Sequence, residues 1–282
     1  MSIGHSFIEL PSVDSTNNYA MAQAQARTAS HGTLIFAHEQ WAGKGQRGKS
    51  WTSQPGENII LSLILEPGPL PVTQYFPLSC AIALACLDFF SRYAGPDETR
   101  IKWPNDIYWR DRKAGGILIE NSLKGDRWAY SIAGMGININ QTTFPPTARN
   151  PVSLRQITGR SFDAVELARE LGACLDLRYQ QFLSEQPGAS DLQSHLSKSQ
   201  ISNPSASTSQ SHIPKSQISN PPPPSLLEEY NSRLYKRGQS VRLKKENAVF
   251  TTEIQGVRPT GELVTRDTLE REFSFGEVEW VF

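Results

Sequence analysis

The chain has 282 residues, 38% of them hydrophobic and 20% charged, with 28 Lys+Arg against 28 Asp+Glu and three cysteines. Zero formal charge counts against a dedicated nucleic-acid binder, whose affinity rests on neutralising phosphates. The lack of any run of about 18 apolar residues or of a signal-like start, and three cysteines without C-x-x-C spacing, point to a soluble cytoplasmic protein without disulfides.

In chain order, Phe7–Leu10 reads as a short strand closed by Pro11. Asp14, Ser15 and Thr16 offer capping oxygens ahead of Asn17–Arg27, whose Ala, Gln and Met content favours a helix. Thr33–Ala37 reads as a strand, and a polar, glycine-rich stretch runs from Gln40 to Glu57. Ile59–Leu65 is continuously apolar and is expected as a buried strand. Pro77–Tyr93 has helical character, and three β-like segments follow at Arg100–Trp103, Gly116–Glu120 and Trp128–Asn138. Asp163 with Glu166 is a capping-box signature, opening a helix to about Phe182.

The composition then changes. Residues 184–225 hold 13 Ser, 7 Pro, no aromatic and four charges, and the heptapeptide Lys-Ser-Gln-Ile-Ser-Asn-Pro occurs twice, at Lys198–Pro204 and Lys215–Pro221. Two copies do not make a solenoid, and Pro221–Pro224 favours extended polyproline, so this is expected to be a disordered insertion or linker. Beyond it Leu226–Tyr235 reads as a short helix. The segments Ser240–Lys244, Val249–Val257, Leu263–Thr265, Arg271–Phe275 and Glu277–Phe282, punctuated by Pro259-Thr260-Gly261 and Gly276, suggest a small β-barrel. The expected domains are therefore 1–183, the insertion 184–225, and 226–282.

Gly43 to Ser50 satisfies the phosphate-loop pattern G-x-x-x-x-G-K-[ST] letter for letter. That loop must open a helix whose N–H groups hold phosphate, but Ser50 is followed by Trp51-Thr-Ser-Gln-Pro55-Gly56 and a strand, so the P-loop reading is rejected. The loop still combines glycines with Lys44, Arg47 and Lys49 beside Trp51, a basic and stackable surface that suits a nucleotide, the alternative being a solvated basic loop.

Lys102-Trp103-Pro104-Asn105-Asp106 ends a strand with an amide and a carboxylate. The amide could pair with a purine edge and the carboxylate could orient a cation, or the two could form only an Asx turn. Lys113, just before Gly115-Gly116 and an apolar strand, can deliver a fixed charge to a carboxylate or phosphate; the bland alternative is a surface lysine. Ala133-Gly134-Met135-Gly136-Ile137-Asn138 lacks the third glycine of a dinucleotide fingerprint.

Together these stretches resemble the biotin protein ligases, through Asp14–Asn17, Glu39–Trp51, Lys102–Asp106, Arg112-Lys113 with Gly116–Leu118, and Gly134–Asn138. The resemblance implies an α+β catalytic domain related to class II aminoacyl-tRNA synthetases, a mixed sheet with flanking helices, followed by a small SH3-like barrel. It further implies ATP-dependent transfer of biotin through biotinyl-AMP to a lysine of the biotin carboxyl carrier protein of acetyl-CoA carboxylase, with Mg2+ arriving on ATP and no metal ligand assigned directly. By position, Ser15, Thr16, Asn17, Gln40, Gly43, Lys44, Gly45, Gln46, Lys113, Gly116 and Asn138 would bind biotin. Arg47, Lys49, Trp51, Asn105 and Asp106 would bind ATP, and Lys113, Lys44 and Asp106 would carry the chemistry.

The family loop is G-R-G-R-R-G-R; here Lys44, Gln46 and Lys49 replace three arginines, which keeps two charges and loses their bidentate geometry. The winged-helix DNA-binding domain of the two-function members is not recognisable, so repressor activity is not expected, and a monomer or weak homodimer without nucleic-acid or membrane partners is. Three alternatives stay open: lipoate or octanoate ligation on a related fold, a P-loop NTPase, and a non-catalytic carboxylase-binding adaptor.

Overall fold

The computed structural model describes residues 2–186 and 224–282; the repeated heptapeptides and most of the Ser/Pro-rich stretch lie outside the described residues. Seven strands form one mixed sheet: β1 (Ser6–Leu10), β2 (Thr33–Ala37), β3 (Asn58–Leu65), β4 (Thr99–Lys102), β5 (Asp106–Trp109), β6 (Arg112–Lys124) and β7 (Arg127–Asn138). Their spatial order is β1-β2-β3-β7-β6-β5-β4, with β1 parallel to β2 and the other pairs antiparallel.

Side chains alternate across the strands, and the two faces differ in use. On one face Ile59, Leu61, Leu63 and Leu65 of β3 and Ala133, Met135 and Ile137 of β7 join the main core. That face is covered by α2 (Tyr75–Ala94) and α4 (Ala164–Ser184). By length and composition alone α2 is long and apolar enough to cross a membrane. Here it is the central core helix, burying Leu78, Ile82, Leu84, Leu87, Phe89 and Phe90. The opposite face packs Ile64, Ile132 and Ile35 against Ala20 and Ala24 of α1 (Thr16–Ala26), where small residues let the helix approach closely.

Two elements were not expected. β5 pairs with β4 and β6 where no strand is expected from the sequence, and α3 (Leu154–Thr158) carries a complete capping box, Ser153 with Gln156. At α4 the cap is one-sided: Asp163 Oδ1 accepts from Val165 N (2.8 Å) and Glu166 N (3.0 Å).

The C-terminal segment begins with α5 (Leu226–Ser232), capped by Ser225 and Glu228, and continues as an antiparallel sheet of β8 (Ser240–Lys245), β9 (Ala248–Val257), β10 (Leu263–Arg266), β11 (Glu270–Phe273) and β12 (Glu279–Val281). Its order is β11-β10-β9-β8-β12. This unit is firmly joined to the first. Tyr230 of α5 is fully buried and its hydroxyl donates to Pro104 O (3.0 Å); Trp103 Nε1 donates to Gly261 O (3.0 Å). The Arg178 guanidinium of α4 bridges Asp88 of α2 (2.6 Å) and both carboxylate oxygens of Glu229 in α5 (2.6 Å each). The ends flanking the undescribed stretch also meet, since Leu226 N donates to Glu185 Oε1 at 2.9 Å.

Candidate active site

Register builds the site. Ile60 of β3 pairs with Gly136 of β7, Gly136 with Gly116 of β6, Gly116 with Asp106 of β5, and Asp106 with Lys102 of β4. One row across five strands therefore reads apolar, glycine, glycine, carboxylate, ammonium. The two glycines leave a trough, and other side chains lie in it. A Cβ on Gly136 would sit 2.4 Å from Trp51 Cε2, and one on Gly116 would sit 3.3 Å from both Asp106 Oδ1 and Lys113 Nζ.

The trough opens into a cavity of about 530 Å³. Its lining includes Ser15, Thr16, Asn17, Gln40, Lys44, Gly45, Gln46, Arg47, Lys49, Trp51, Asn105, Asp106, Lys113, Gly116 and Asn138, every residue singled out in the sequence except Gly43. Gly43 acts behind the lining. The loop folds back as a narrow hairpin, with Trp51 N donating to Gly43 O (2.9 Å) and Gly45 N to Lys49 O (2.6 Å), and a Cβ at Gly43 would strike Trp51 O at 2.3 Å. Ser50 is followed by coil and then by β3, so no helix presents its N-terminus to the pseudo-P-loop.

One region of the cavity is polar but uncharged. Gln40 Oε1 accepts from Thr16 N (2.7 Å) and Thr16 Oγ1 (3.1 Å). The Ser62 hydroxyl donates to Asn17 Oδ1 (2.7 Å) and lies 2.8 Å from Thr16 Oγ1. Asn17 Nδ2 in turn donates to Glu120 Oε2 (2.8 Å) and Leu118 O (3.2 Å). Ser15 holds the N-cap position of α1 without capping it by side chain, so the helix N-terminus faces this region. Ser62 pairs with Gly134, two residues along from the Ile60–Gly136 pair, or about 7 Å at the rise of a strand.

The other region is ionic. Lys113 Nζ lies 2.7 Å from Asp106 Oδ1 and 5.9 Å from the centroid of the Trp51 ring. Lys113 is fixed through its main chain, its N–H donating to Asn150 O (2.8 Å) while Val152 N donates to its carbonyl (2.9 Å). Asn138 Nδ2 donates to Val152 O (3.1 Å), tying the 141–152 loop down as a wall of the cavity. Asn105 Nδ2 donates to Ile117 O, so part of its amide serves to join β5 to β6 and its Oδ1 and second amide hydrogen remain for a ligand. In the loop, Lys44 Nζ reaches Glu120 Oε1 (3.3 Å) and Arg47 Nη1 reaches Glu279 Oε1 (3.9 Å); Lys49 has no carboxylate partner among the described residues.

Several contributors escaped sequence reasoning. Ser62 carried a signal, a single hydroxyl inside the apolar run Ile59–Leu65. Lys102 lines the ionic region with its side chain 12% exposed, and burial, opposed by Asp106 and reinforced by Lys113, Lys49 and Arg149, pulls its ammonium down to about 8. Phe144, Arg149, Trp280 and Phe282 complete the wall from loops and from the C-terminal sheet, with no local pattern to mark them.

The Biotin/lipoate A/B protein ligase family matches residues 9–138. The chain is 34% identical over 185 residues to the bifunctional ligase/repressor BirA of Bacillus spizizenii, covering 64% of this chain and 56% of that one. It is 35% identical over 164 residues to the biotin–[acetyl-CoA-carboxylase] ligase of Paracoccus denitrificans, covering 56% and 66%. The chain thus spans about half the length of the curated relatives it matches. Among solved structures, the biotin protein ligase from Aquifex aeolicus in complex with biotin and ATP superposes with a TM-score of 0.68 at 23% identity over 98% of both chains. That from Leishmania major in complex with biotinyl-5-AMP gives 0.53 at 21%, over 96% and 99%. The α+β fold with its mixed sheet, flanking helices and C-terminal β-sheet unit is that of the biotin protein ligases, and residues 9–138 carry a biotin/lipoate A/B protein ligase family domain.

Proposed function

We propose that this chain ligates biotin to a lysine of a biotin carboxyl carrier domain through biotinyl-AMP, consuming ATP. One observation carries the reading: a single cavity joins an uncharged hydrogen-bonding recess to a cationic trough floored by glycine. The recess, lined by Ser15, Thr16, Asn17 and Gln40 with the buried Ser62 bracing Thr16 and Asn17 from behind, suits a ureido ring that donates and accepts hydrogen bonds without charge. The trough, with Lys113, Lys49 and Arg47, suits a carboxylate meeting a polyphosphate. Trp51 supports a nucleotide there, because its buried indole N–H has no partner among the described residues, which costs about 1–3 kcal/mol unless a ligand accepts from it.

The chemistry follows from charge. A carboxylate oxygen of biotin attacks the α-phosphorus, the bond from that phosphorus to the bridging oxygen breaks, and pyrophosphate leaves with the electron pair. Both reactants are anions, so the fixed Lys113 ammonium lowers the barrier by stabilising charge that concentrates in the transition state. The acceptor lysine amine then attacks the acyl carbon, AMP leaves, and the amine proton is released. The basic hairpin 43–51, with Lys44 and Arg47 tied to Glu120 and Glu279, would screen the mixed anhydride from water.

Among the described residues there is no cluster of three His, Cys, Asp or Glu side chains. Asp106 and Glu279 are the carboxylates in the cavity lining, and Glu279 faces Arg47, which fits Mg2+ held mainly by ATP phosphates rather than by a protein cage. Bound there, Mg2+ would neutralise charge on the departing pyrophosphate.

The test is ATP–pyrophosphate exchange with the purified chain. Exchange that requires biotin and is not supported by lipoate supports the reading; exchange driven by lipoate alone, or ATP hydrolysis without biotin, replaces it.

A further inference from the structure

Lys102 sits at the end of the glycine row, on the edge strand of the sheet, and its side chain reaches back into the cavity. Three rings enclose its ammonium: Tyr108 at 5.3 Å from the centroid, Trp280 at 5.2 Å and Phe282 at 5.6 Å. Two of these belong to the C-terminal segment. The rings also brace one another. Trp280 and Phe282 lie 6.5 Å apart and nearly parallel, Tyr108 and Phe282 6.4 Å apart, and Tyr235 packs against both Tyr108 (5.1 Å) and Trp280 (5.6 Å).

The charge balance around this ammonium is lopsided. Its one carboxylate neighbour, Asp106, lies 4.0 Å away through Oδ2 and is already held at 2.7 Å through Oδ1 by Lys113. Lys49 and Arg149 add two further positive charges facing the same space. A desolvated cation whose carboxylate neighbour is already paired with Lys113, and which faces two further cations, is costly, and burial accordingly draws Lys102 toward its neutral form. Such an arrangement becomes favourable when a polyanion enters and supplies the missing charge. Aromatic faces suit the wait, because they hold an ammonium electrostatically without neutralising it.

We propose, building on the ligase reading above, that Lys102 is a further substrate-contacting residue, binding the β- and γ-phosphates of the nucleotide, and that Trp280 and Phe282 are positioning residues through which the C-terminal sheet presents it. Lys113 serves the reacting α-phosphate; Lys102 serves the departing pyrophosphate. The C-terminal sheet thereby enters the adenylation step through two rings.

The experiment uses the full chain and inorganic tripolyphosphate as the probe, with binding measured by calorimetry, alongside biotin-driven pyrophosphate exchange over a range of ATP concentrations. Lys102→Met is expected to weaken tripolyphosphate binding by about tenfold or more, the loss of one charge-assisted hydrogen bond, and to raise KM for ATP while biotin affinity stays within about twofold. Lys102→Arg is expected to recover most of the loss. Trp280→Leu and Phe282→Leu, which remove no charge, are expected to shift KM for ATP several-fold in the same direction, and they decide the matter should Lys102→Met fail to fold. Wild-type tripolyphosphate affinity in Lys102→Met, equal failure of Lys102→Arg, or variants that change only thermal stability would overturn the assignment. A wild-type chain that binds tripolyphosphate but shows no biotin-driven exchange would defeat the ligase reading and leave the Lys102 assignment standing.

Discussion

Gly136→Ala is the substitution that tests the site geometry most sharply. A methyl group there would meet Trp51 Cε2, Cζ2 and Nε1 at 2.4, 2.6 and 2.8 Å, where ordinary contact begins near 3.4 Å. The strand cannot yield, because Gly136 is paired on both sides, with Ile60 and with Gly116. The ring must therefore move by about 1 Å or turn about its side-chain bonds, at a cost of about 1–3 kcal/mol for overpacking. For a chain of this size that lowers the melting temperature by roughly 2–4 °C per kcal/mol. Displacing the ring also removes the surface above Lys113, so KM for ATP in pyrophosphate exchange should rise by about tenfold. A double-mutant cycle isolates the cause: in a Trp51→Ala background the stability penalty of Gly136→Ala should largely vanish. An undiminished penalty in that background, or a Gly136→Ala protein with wild-type melting temperature and KM, would refute the glycine-trough argument.

Other outcomes are expected. Lys113→Ala should lower pyrophosphate exchange by about 100-fold or more, as for loss of one transition-state charge contact, with the fold preserved; near-wild-type exchange would remove Lys113 from the chemistry. His31 is buried against Tyr179, accepts a hydrogen bond from Glu66 N at 3.1 Å, and has its pKa drawn down by burial to about 4. The unfolded chain then binds the extra proton between pH 4 and 6.5. The neutral ring's contribution is fully present above about pH 6.5 and is lost as pH falls toward 4, by about 3 kcal/mol. Denaturant midpoints at pH 7 and 4.5 for wild type and His31→Gln should show a flatter slope in the variant. Deleting residues 190–221 should leave pyrophosphate exchange and melting temperature intact, because Glu185 and Leu226 already join the flanking segments; normal adenylation with lost transfer to the carrier would give that stretch a docking role.

Much of this site was legible because its residues cluster in short motifs. Gly43 to Trp51, Lys102 to Asp106 and Gly134 to Asn138 each stay together in the fold, since hairpins and strand ends keep chain neighbours close. β5 was hidden by shortness, four residues between Pro104 and the left-handed Arg110, where a turn and a strand read alike. α3 had its marker, Ser153 with Gln156, inside a segment too short to show helical periodicity. The register row from Ile60 to Lys102 depends on how five strands pair, which no local pattern states. Two of the rings around Lys102, Trp280 and Phe282, lie more than 170 positions away and meet it only because α5 and Trp103 seat the C-terminal sheet against the first domain.

The most direct test is mass spectrometry of an apo biotin carboxyl carrier domain after incubation with the purified chain, biotin and MgATP. One biotin added per carrier, abolished by replacing the acceptor lysine and by omitting ATP, is the predicted result. An unmodified carrier in the presence of a folded, biotin-binding chain, or a carrier that gains lipoate and not biotin, would contradict the account.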